Sequence, residues 1–272
     1  ASKIKLLDEN SDCIWSFNLW GVTTIPAGQK MNNGVIMDRN IGCGVSDIAF
    51  KGTTRAGDGR GAYYQWGRPF QTGWSTSQGL FVQAVTIVTD LSISAANPEK
   101  FYHMDGVTPT QGGDWYLGAH TGARDEHIDD LWGNPNTAGE LVNPESGVKS
   151  IYDPCPKGWR VASPKLLAEF YKTATLDTSD DKMYRMVYQC GSETVTLSFG
   201  GCKWGSNGGN CENTKSDICA LWSNSPISSY EQSGANAYMF YYRYKEGDWL
   251  APEKQSGNRS HGFPVRCMID DD

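Results

Sequence analysis

The chain has 272 residues, 31 glycines, 20% charged residues and a formal net charge of −7. An acidic chain without a basic stripe has nothing to neutralise phosphates, which excludes nucleic acid as a partner. The same negative charge disfavours binding to an anionic membrane surface. The longest apolar run, at 80–88, contains Gln83 and Thr86 and is too short to cross a bilayer, so we expect no membrane insertion within this chain.

Short strands dominate the predicted secondary structure. Runs rich in β-branched and aromatic residues are bounded by Gly, Asn and Pro, which is typical of strands. They lie at 4–7, 14–19, 35–40, 183–190, 194–199, 237–244 and 262–268. Residues 80–93 alternate enough to form one strand or two, whereas 98–147 are rich in glycine and Asn-Pro steps, which favour turns.

The clearest helix lies at 163–173 (SPKLLAEFYKT). Ser163 is a natural N-cap and Pro164 suits the first helical position. Its apolar face consists of Leu166, Leu167, Phe170 and Tyr171. One firm helix among many short strands and long loops predicts a single α+β domain over 1–272. An all-β sandwich is the alternative.

Eight cysteines are scattered along the chain: Cys13, Cys43, Cys155, Cys190, Cys202, Cys211, Cys219 and Cys267. An even number at such spacing favours a secreted protein with disulfides. The alternative is a set of reduced, buried thiols. No CxxC spacing occurs, which disfavours zinc.

The segment 221–268 concentrates aromatic residues among Ser, Asn, Gly and Gln. Seven of them lie within twenty positions: Tyr230, Tyr238, Phe240, Tyr241, Tyr242, Tyr244 and Trp249. Rigid aromatic rings supply contact area at low entropic cost, and small polar residues supply adaptable hydrogen bonds. This composition indicates binding rather than catalysis.

Motifs for catalysis or metal binding are weak. There is no HExxH and no GxSxG. The acidic cluster at 125–130 has the ligand type for calcium, but a solvated loop is the favoured interpretation. The glycine-rich 57–61 lacks a strand-to-helix context for phosphate and is interpreted as a turn. We predict no catalytic residue, no metal and no cofactor.

Five strings, in chain order, resemble a known family. They are MDRNIG at 37–42, GRGAYYQWGRPF at 59–70, YDPCPKGWRVASPKLLAEF at 152–170, LWSNSP at 221–226 and NRSHGFPVRC at 258–267. Together they resemble the Fibrobacter major paralogous domain family of bacterial surface proteins. The resemblance implies a C-type lectin-like fold with short antiparallel strands, one or two helices and a long loop-rich insertion at 72–148. It also implies that Trp159, Trp222 and Val265 lie in the core.

The same resemblance brings Cys155 close to Cys267 and implies a disulfide between them. Within the Gly-rich stretch 200–219, a Cys211–Cys219 bridge is expected to close the loop locally. Cys190–Cys202 and Cys13–Cys43 are the remaining pairings. The chain lacks the EPN or QPD and WND motifs through which animal C-type lectins bind sugar with calcium, which argues against that mode of binding.

The C-terminus resembles, more narrowly, the variable proteins of diversity-generating retroelements. WSNSP, a polar and aromatic stretch and then NRSHGFPVRC follow one another there. In those proteins adenine-rich codons are rewritten within a C-type lectin scaffold, so that asparagine codons become Tyr, Ser, Asp, His, Ile or Phe. The resemblance implies that 221–268 is a variable ligand-binding region.

Side chains alternate between the two faces of the strand at 237–244, so one set packs inward. The family pattern places Ala237, Phe240 and Tyr242 inward. We therefore expect Tyr241 and Arg243 outward, with Met239 beside them. The predicted ligand-binding residues are Ser229, Tyr230, Met239, Tyr241, Arg243, Tyr244, Asp248, Trp249, Asn258 and His261.

The sequence thus predicts a non-enzymatic adhesion module, extracellular or on the cell surface, such as a pilus tip. Its partner is a protein or glycan receptor on another cell. A phage tail-fibre module that binds a bacterial receptor, carried on the virion, is the first alternative. The second is a formylglycine-generating enzyme, a class with a related fold that uses paired cysteines and copper. Here that pair would be Cys202 and Cys211. The favoured explanation of these two cysteines is that they form structural disulfides.

Overall fold

Short strands are the commonest regular elements among the residues described by this computed structural model. It describes residues 2–47, 60–74, 85–86, 90–103, 113–116, 128, 130–134, 147–179, 184–202, 218–227, 236–244, 248–249 and 256–271. Within these ranges there are two helices, α1 (Leu91–Ala96) and α2 (Pro164–Thr173), and eighteen strands. The strands are β1 (Ser2–Leu7), β2 (Cys13–Leu19), β3 (Gly28–Met31), β4 (Gly34–Asn40), β5 (Ala62–Gln65), β6 (Gln71–Trp74), β7 (Val85–Thr86), β8 (Tyr102–His103), β9 (Trp159–Val161), β10 (Thr175–Asp177), β11 (Arg185–Cys190), β12 (Glu193–Ser198), β13 (Ile218–Pro226), β14 (Asn236–Arg243), β15 (Asp248–Trp249), β16 (Ser256–Asn258), β17 (Gly262–Pro264) and β18 (Arg266–Ile269).

The strands form several small sheets rather than one large one. Their orders are β1-β2, β3-β4-β18-β9, β17-β5-β6, β10-β11-β12, β13-β14-β15 with β16 beside β14, and β7-β8. All these pairings are antiparallel except β7-β8, which is parallel. A mostly antiparallel architecture with two helices is compatible with the predicted α+β class.

The sheet β3-β4-β18-β9 joins distant parts of the chain. β18, near the C-terminus, pairs with β4 on one side and with β9 on the other. The Cys155–Cys267 disulfide, with a Cα–Cα distance of 6.0 Å, links β18 to the segment before β9 and confirms that prediction. Arg266 is fully buried beside it, donates to the Met37 carbonyl at 2.8 Å and forms an ion pair with Asp47.

Helix α2 begins where the sequence predicts. The Ser163 side chain accepts a hydrogen bond from the Leu166 amide at 3.2 Å, and Pro164 occupies the first turn. Leu166, Leu167 and Phe170 are fully buried. The capping side chain and the apolar face at i, i+1 and i+4 were sufficient to locate this helix.

Two hydrophobic clusters lie on opposite sides of β13 and β14. The first is rich in tryptophan and includes Trp66, Trp115, Trp132 and Trp222. The second, between the sheet and α2, includes Leu166, Phe170, Leu221 and Phe240. Burial of Trp222 and Val265 is as expected, whereas Trp159 is only partly buried against the first cluster.

The described parts of 72–148 are integrated into the core. Tyr102, Trp115, Leu131 and Trp132 all belong to the first cluster. The Trp115 indole donates to the Trp66 carbonyl. The segment predicted as an insertion therefore supplies part of the apolar interior on which the rest packs.

Two predicted elements differ in the structure. Residues 80–93 contain the two-residue β7, and α1 then starts at Leu91, because the Asp90 carboxylate accepts from the Ser92 amide at 2.8 Å and acts as an N-cap. The predicted strand at 262–268 is two strands in different sheets, β17 and β18. Val265 between them forms an isolated bridge with Trp222.

The local cysteine pairings are wrong. Cys13, Cys43, Cys190 and Cys219 carry free thiols, which rules out Cys13–Cys43, Cys190–Cys202 and Cys211–Cys219. Cys202 is disulfide-bonded, and Cys211 lies outside the described residues. Cys219 is a β13 residue whose side chain is buried in the second cluster, and this burial raises its pKa. For Cys219, nearness to Cys211 in sequence was misleading because the direction of its side chain is set by β13, which places the thiol in the second cluster.

Candidate functional site

Four consecutive strands near the C-terminus build one sheet, which we call the C-terminal sheet: β13, β14, β15 and β16. β14 pairs with β13 along one edge. Along its other edge it pairs with β15 at Tyr242 and Arg243, and with β16 at 236–238. The connections between these strands comprise residues 227–235, 244–247 and 250–255. These polar and aromatic segments, 227–235, 244–247 and 250–255, therefore each connect two strands of the same sheet.

β14 lies between the two hydrophobic clusters. Ala237 and Met239 face the first, and Phe240 and Tyr242 face the second. Ala237, Phe240 and Tyr242 are buried, as the sequence predicts. The outward placement of Met239 is wrong, since it is only 8% exposed.

Burial of Met239 follows from what covers this half of the strand. The rings of Trp222 and Phe263, whose centroids are 4.5 Å apart, belong to the same cluster. The fit is tight, because a Cβ added at Gly257 would lie 2.9 Å from the Met239 sulfur. Both faces of β14 are thus occupied around Met239 and Phe240, and the most exposed described side chain of this region is Tyr244, just past the end of the strand.

Tyr241 is fixed by a contact from helix α2. The Tyr171 hydroxyl donates to the Tyr241 carbonyl at 2.7 Å and accepts from the Tyr241 amide at 2.9 Å. This edge of β14 lies between the residues that pair with β15 and those that pair with β16. Burial raises the pKa of Tyr171, so its hydroxyl remains protonated and able to donate. The side chain of Tyr241 is half-buried against the first cluster.

The end of β14 carries the most accessible of the predicted residues. Tyr244 is 40% exposed, and its ring packs in a tilted orientation against that of Tyr184, with 4.7 Å between the centroids. Arg243 is half-buried and stands opposite Asp248 in the register of β14 and β15. Tyr242 stands opposite Trp249 in the same register. Arg243 and Tyr244 are therefore brought to one end of the C-terminal sheet, next to the residues of β15.

Asn258 and His261 are presented by a turn that Arg259 anchors. The guanidinium of Arg259 donates to the carbonyls of Asn236 and Ile128, both at 3.2 Å, and pairs with Asp114 at 3.5 Å. It also lies 4.5 Å from the centroid of the Trp66 ring, within range of a cation–π interaction.

Backbone bonds hold the same turn. The Trp66 amide donates to the Arg259 carbonyl, the Ser260 amide to Gly113 and the His261 amide to Asn258. Asn258 and His261 are both half-buried. The turn is therefore tied to the core on several sides while its flanking side chains reach the surface.

His261 is a neutral group at physiological pH. Burial lowers its pKa from 6.5 to about 4. Its ring lies 5.7 Å from the ring of Phe263, centroid to centroid. In this environment the imidazole is suited to hydrogen bonding and stacking, not to contributing positive charge.

The remaining predicted residues lie partly outside the description. Ser229 and Tyr230 fall outside the described residues, and Asp248 and Trp249 are placed only by their backbone. Of the acidic cluster at 125–130, the structure describes Ile128 and Asp130. Among the described residues, no group of three or more His, Cys, Asp or Glu is positioned to hold a metal ion. Within those same ranges no helix is long and apolar enough to cross a membrane.

Two positioning residues of the site were not anticipated from the sequence. Tyr171 was assigned to the apolar face of α2, and its polar hydroxyl was the only sign of a second role. Nothing in the sequence around Arg259 indicates that it anchors the turn, because its partners Asp114 and Trp66 are more than a hundred residues away.

No protein-family model, curated protein or solved structure matches this chain. The function must therefore be inferred from the residues and their geometry.

Proposed function

We propose that this chain is a non-enzymatic binding module of a bacterial surface protein, with a C-type lectin-like fold, at the tip of an appendage such as a pilus. It attaches to a protein or glycan receptor on another cell. The receptor contacts Tyr241, Arg243, Tyr244, Asn258 and His261, together with the connections of the C-terminal sheet.

The observation that carries this proposal is that the C-terminal sheet has a firmly held backbone and, beside it, side chains that reach the surface. The backbone is fixed by the buried side chains of Trp222, Phe240 and Arg259 and by the partly buried Tyr171 at the strand edge. The half-buried and exposed side chains near them are aromatic, amide and guanidinium groups. Tyr and Arg on a rigid support are typical of binding hot spots, because little entropy is lost when they are immobilised.

The Cys155–Cys267 disulfide supports an extracellular location. Disulfides persist in oxidising compartments and are rare in the cytosol. This one ties the sheet β3-β4-β18-β9 to the loop before β9, so it stabilises the body of the module and leaves the C-terminal sheet free to vary.

Diversification by a retroelement is the finer part of the proposal. Changes in 227–235, 244–247 and 250–255 alter connections and leave the buried strand residues intact, so many sequences are compatible with one scaffold. Sequencing the genomic neighbourhood tests this directly. We expect a reverse transcriptase gene and a near-copy of the 3′ end of this gene, with differences confined to adenines in codons within 221–268. A neighbourhood with neither would overturn this part of the proposal.

Cell binding tests the proposed surface. The purified chain, biotinylated and tetramerised on fluorescent streptavidin, is incubated with epithelial cells and with Gram-negative bacteria and read by flow cytometry. Protease or periodate treatment of the cells separates protein receptors from glycan receptors. A variant with Arg243→Ala, Tyr244→Ala and Asn258→Ala should lose most of the signal.

The matched control replaces exposed residues elsewhere. Ile25, Val148 and Ile151 are 88%, 73% and 74% exposed, so their replacement by alanine should leave both folding and binding intact. Binding that survives in the first variant, or is lost equally in the control, would show that the C-terminal sheet is not the contact surface.

A further inference from the structure

A separate pocket lies where the end of β2 meets β5, β6 and the loop before β9. Its volume is about 150 Å³. Leu19, Trp20, Ile41, Pro154 and Pro156 form apolar walls. Leu19 is 46% exposed, so the pocket opens to solvent on that side.

The walls are held rigidly. The Trp20 indole donates to the Cys43 carbonyl at 2.8 Å, so the ring contributes apolar surface in a fixed orientation. Pro154 and Pro156 flank Cys155, which is tied to Cys267 by the disulfide. The Asp153 carboxylate accepts from the Cys155 amide at 2.8 Å and holds the same loop. A preformed shape of this kind is typical of small-molecule sites.

Three polar side chains that line this pocket lack a protein partner among the described residues. Tyr64 is 1% exposed; its carbonyl accepts from the Trp222 indole, but its side-chain hydroxyl makes no hydrogen bond to the described residues. Asn18 donates its amide nitrogen to the Pro69 carbonyl at 3.0 Å, which leaves its amide oxygen buried and unpaired. Gln71 is 8% exposed and pairs with Tyr64 across the strands, but its side-chain amide makes no hydrogen bond to the described residues.

Such groups are costly to bury without a partner. A buried donor or acceptor that makes no hydrogen bond loses about 1–3 kcal/mol. Among the three, the Asn18 amide oxygen is both buried and unpaired. Together with Tyr64 and Gln71, which line the same pocket, it forms a site that a ligand of matching chemistry would complete. None of the three carries a charge, and burial raises the pKa of Tyr64, so its hydroxyl stays neutral.

The size and polarity of the pocket define the ligand class. A cavity of about 150 Å³ is known to accommodate a benzene ring. No charged residue lines the pocket, and the nearby amine of Lys3 is engaged by the carbonyls of Gln71 and Pro98. A charged ligand would therefore be desolvated without a counter-charge in contact with it, which is costly. A pure hydrocarbon would leave the three polar groups unpaired, whereas a sugar carries more hydroxyls than they can pair.

We propose that this pocket binds a neutral small molecule consisting of one ring with a single hydroxyl, of the phenol class. The ring packs between Trp20, Ile41 and the two prolines. The hydroxyl pairs with the Tyr64 hydroxyl and with the amide of Asn18 or Gln71. The site shares no residue with the C-terminal sheet, so it is independent of the receptor surface proposed above.

Titration followed by NMR tests this site. The full ¹⁵N-labelled chain is titrated separately with phenol, toluene and benzoate. Phenol should shift the amides of Leu19, Trp20 and Gly42 in a saturable manner, toluene should bind more weakly and benzoate should not bind. Tyr64→Phe should weaken phenol binding about two- to tenfold, the range of one net hydrogen bond, and leave toluene binding unchanged.

Two further variants keep the result interpretable. Tyr244→Phe makes the same chemical change on the exposed C-terminal sheet and should leave phenol binding unaltered. Leu19→Trp fills the mouth of the pocket from an exposed position, where folding is not at risk, and should abolish phenol binding. The proposal is overturned if phenol causes no saturable shift, if benzoate binds as tightly as phenol, or if Tyr64→Phe weakens phenol and toluene equally.

Discussion

Acid should destabilise this protein partly through His261, and replacing that residue by glutamine should remove this part of the effect. Burial lowers the pKa of His261 to about 4, whereas the unfolded chain titrates near 6.5. Between these values the unfolded state binds a proton that the folded state does not. The free energy of unfolding therefore falls as the pH drops below 6.5, and the loss is complete below about pH 4.

The magnitude follows from the two pKa values. Each unit of difference in pKa corresponds to about 1.4 kcal/mol. When His261 is fully protonated in the unfolded state and neutral in the folded state, the free energy of unfolding is therefore lower by roughly 3 kcal/mol. Between pH 7 and pH 5 the same linkage gives a loss of about 2 kcal/mol. His261→Gln places a neutral side chain there at every pH, so its stability should lack this component.

Urea denaturation at pH 7, 6 and 5 measures the difference. The unfolding free energy of the wild type minus that of His261→Gln should fall by about 2 kcal/mol from pH 7 to pH 5. The other three histidines and all carboxylates are common to both proteins, so their titration cancels in the subtraction. A difference that stays constant across this range would show that His261 is accessible to protons and that the turn at 258–261 is less tightly packed than the structure indicates.

Three further predictions concern the scaffold. Tyr171→Phe removes both hydrogen bonds to Tyr241 and should lower the unfolding free energy by about 1–3 kcal/mol in urea, with amide exchange at Tyr241 accelerated; unchanged exchange would refute the edge contact. Cys267→Ala removes the Cys155–Cys267 disulfide and should lower the unfolding free energy by about 2–5 kcal/mol in urea. The wild type under reducing conditions also loses the disulfide of Cys202, so it should be destabilised at least as much as this variant. Gly133→Ala should be strongly destabilising, by about 3–5 kcal/mol, because the new Cβ would lie 1.8 Å from the Val148 carbonyl oxygen in addition to the strain of its positive φ. Gly158→Ala is the matched control, with a positive φ but no atom within 4 Å, and should cost only about 1–2 kcal/mol in a thermal melt.

Local signals in the sequence were enough to locate some elements. Ser163 and Pro164 define the start of α2 because capping depends only on residues within one turn. The alternation along 237–244 assigns residues to the two faces of β14, since side-chain direction in a strand has a period of two, but the expectation that only one face packs inward is wrong, because Met239 and Phe240 are buried on opposite faces. In both cases the deciding interaction lies within a few positions of the residue.

Other features depend on contacts that are distant in sequence. Met239 was expected outward, yet Phe263 and Trp222 cover it, and no local pattern reveals which of two apolar faces meets a second cluster. Cys219 was paired with its near neighbour, but β13 directs its thiol into the second cluster. The Cys155–Cys267 bridge was found through the family resemblance, because its two residues are 112 positions apart.

The segment 72–148 shows why composition alone misjudges a contribution to the fold. Its glycines and Asn-Pro steps predict loops, yet Trp115 and Trp132 are 1% and 2% exposed within it. One large ring in an irregular segment buries as much apolar area as several residues of a regular strand. The same segment supplies Asp114, the partner of Arg259, and so helps to hold the turn that presents Asn258 and His261. A proposed receptor surface that tolerates change needs support from elsewhere, and here part of that support comes from the segment that the family resemblance marks as a loop-rich insertion.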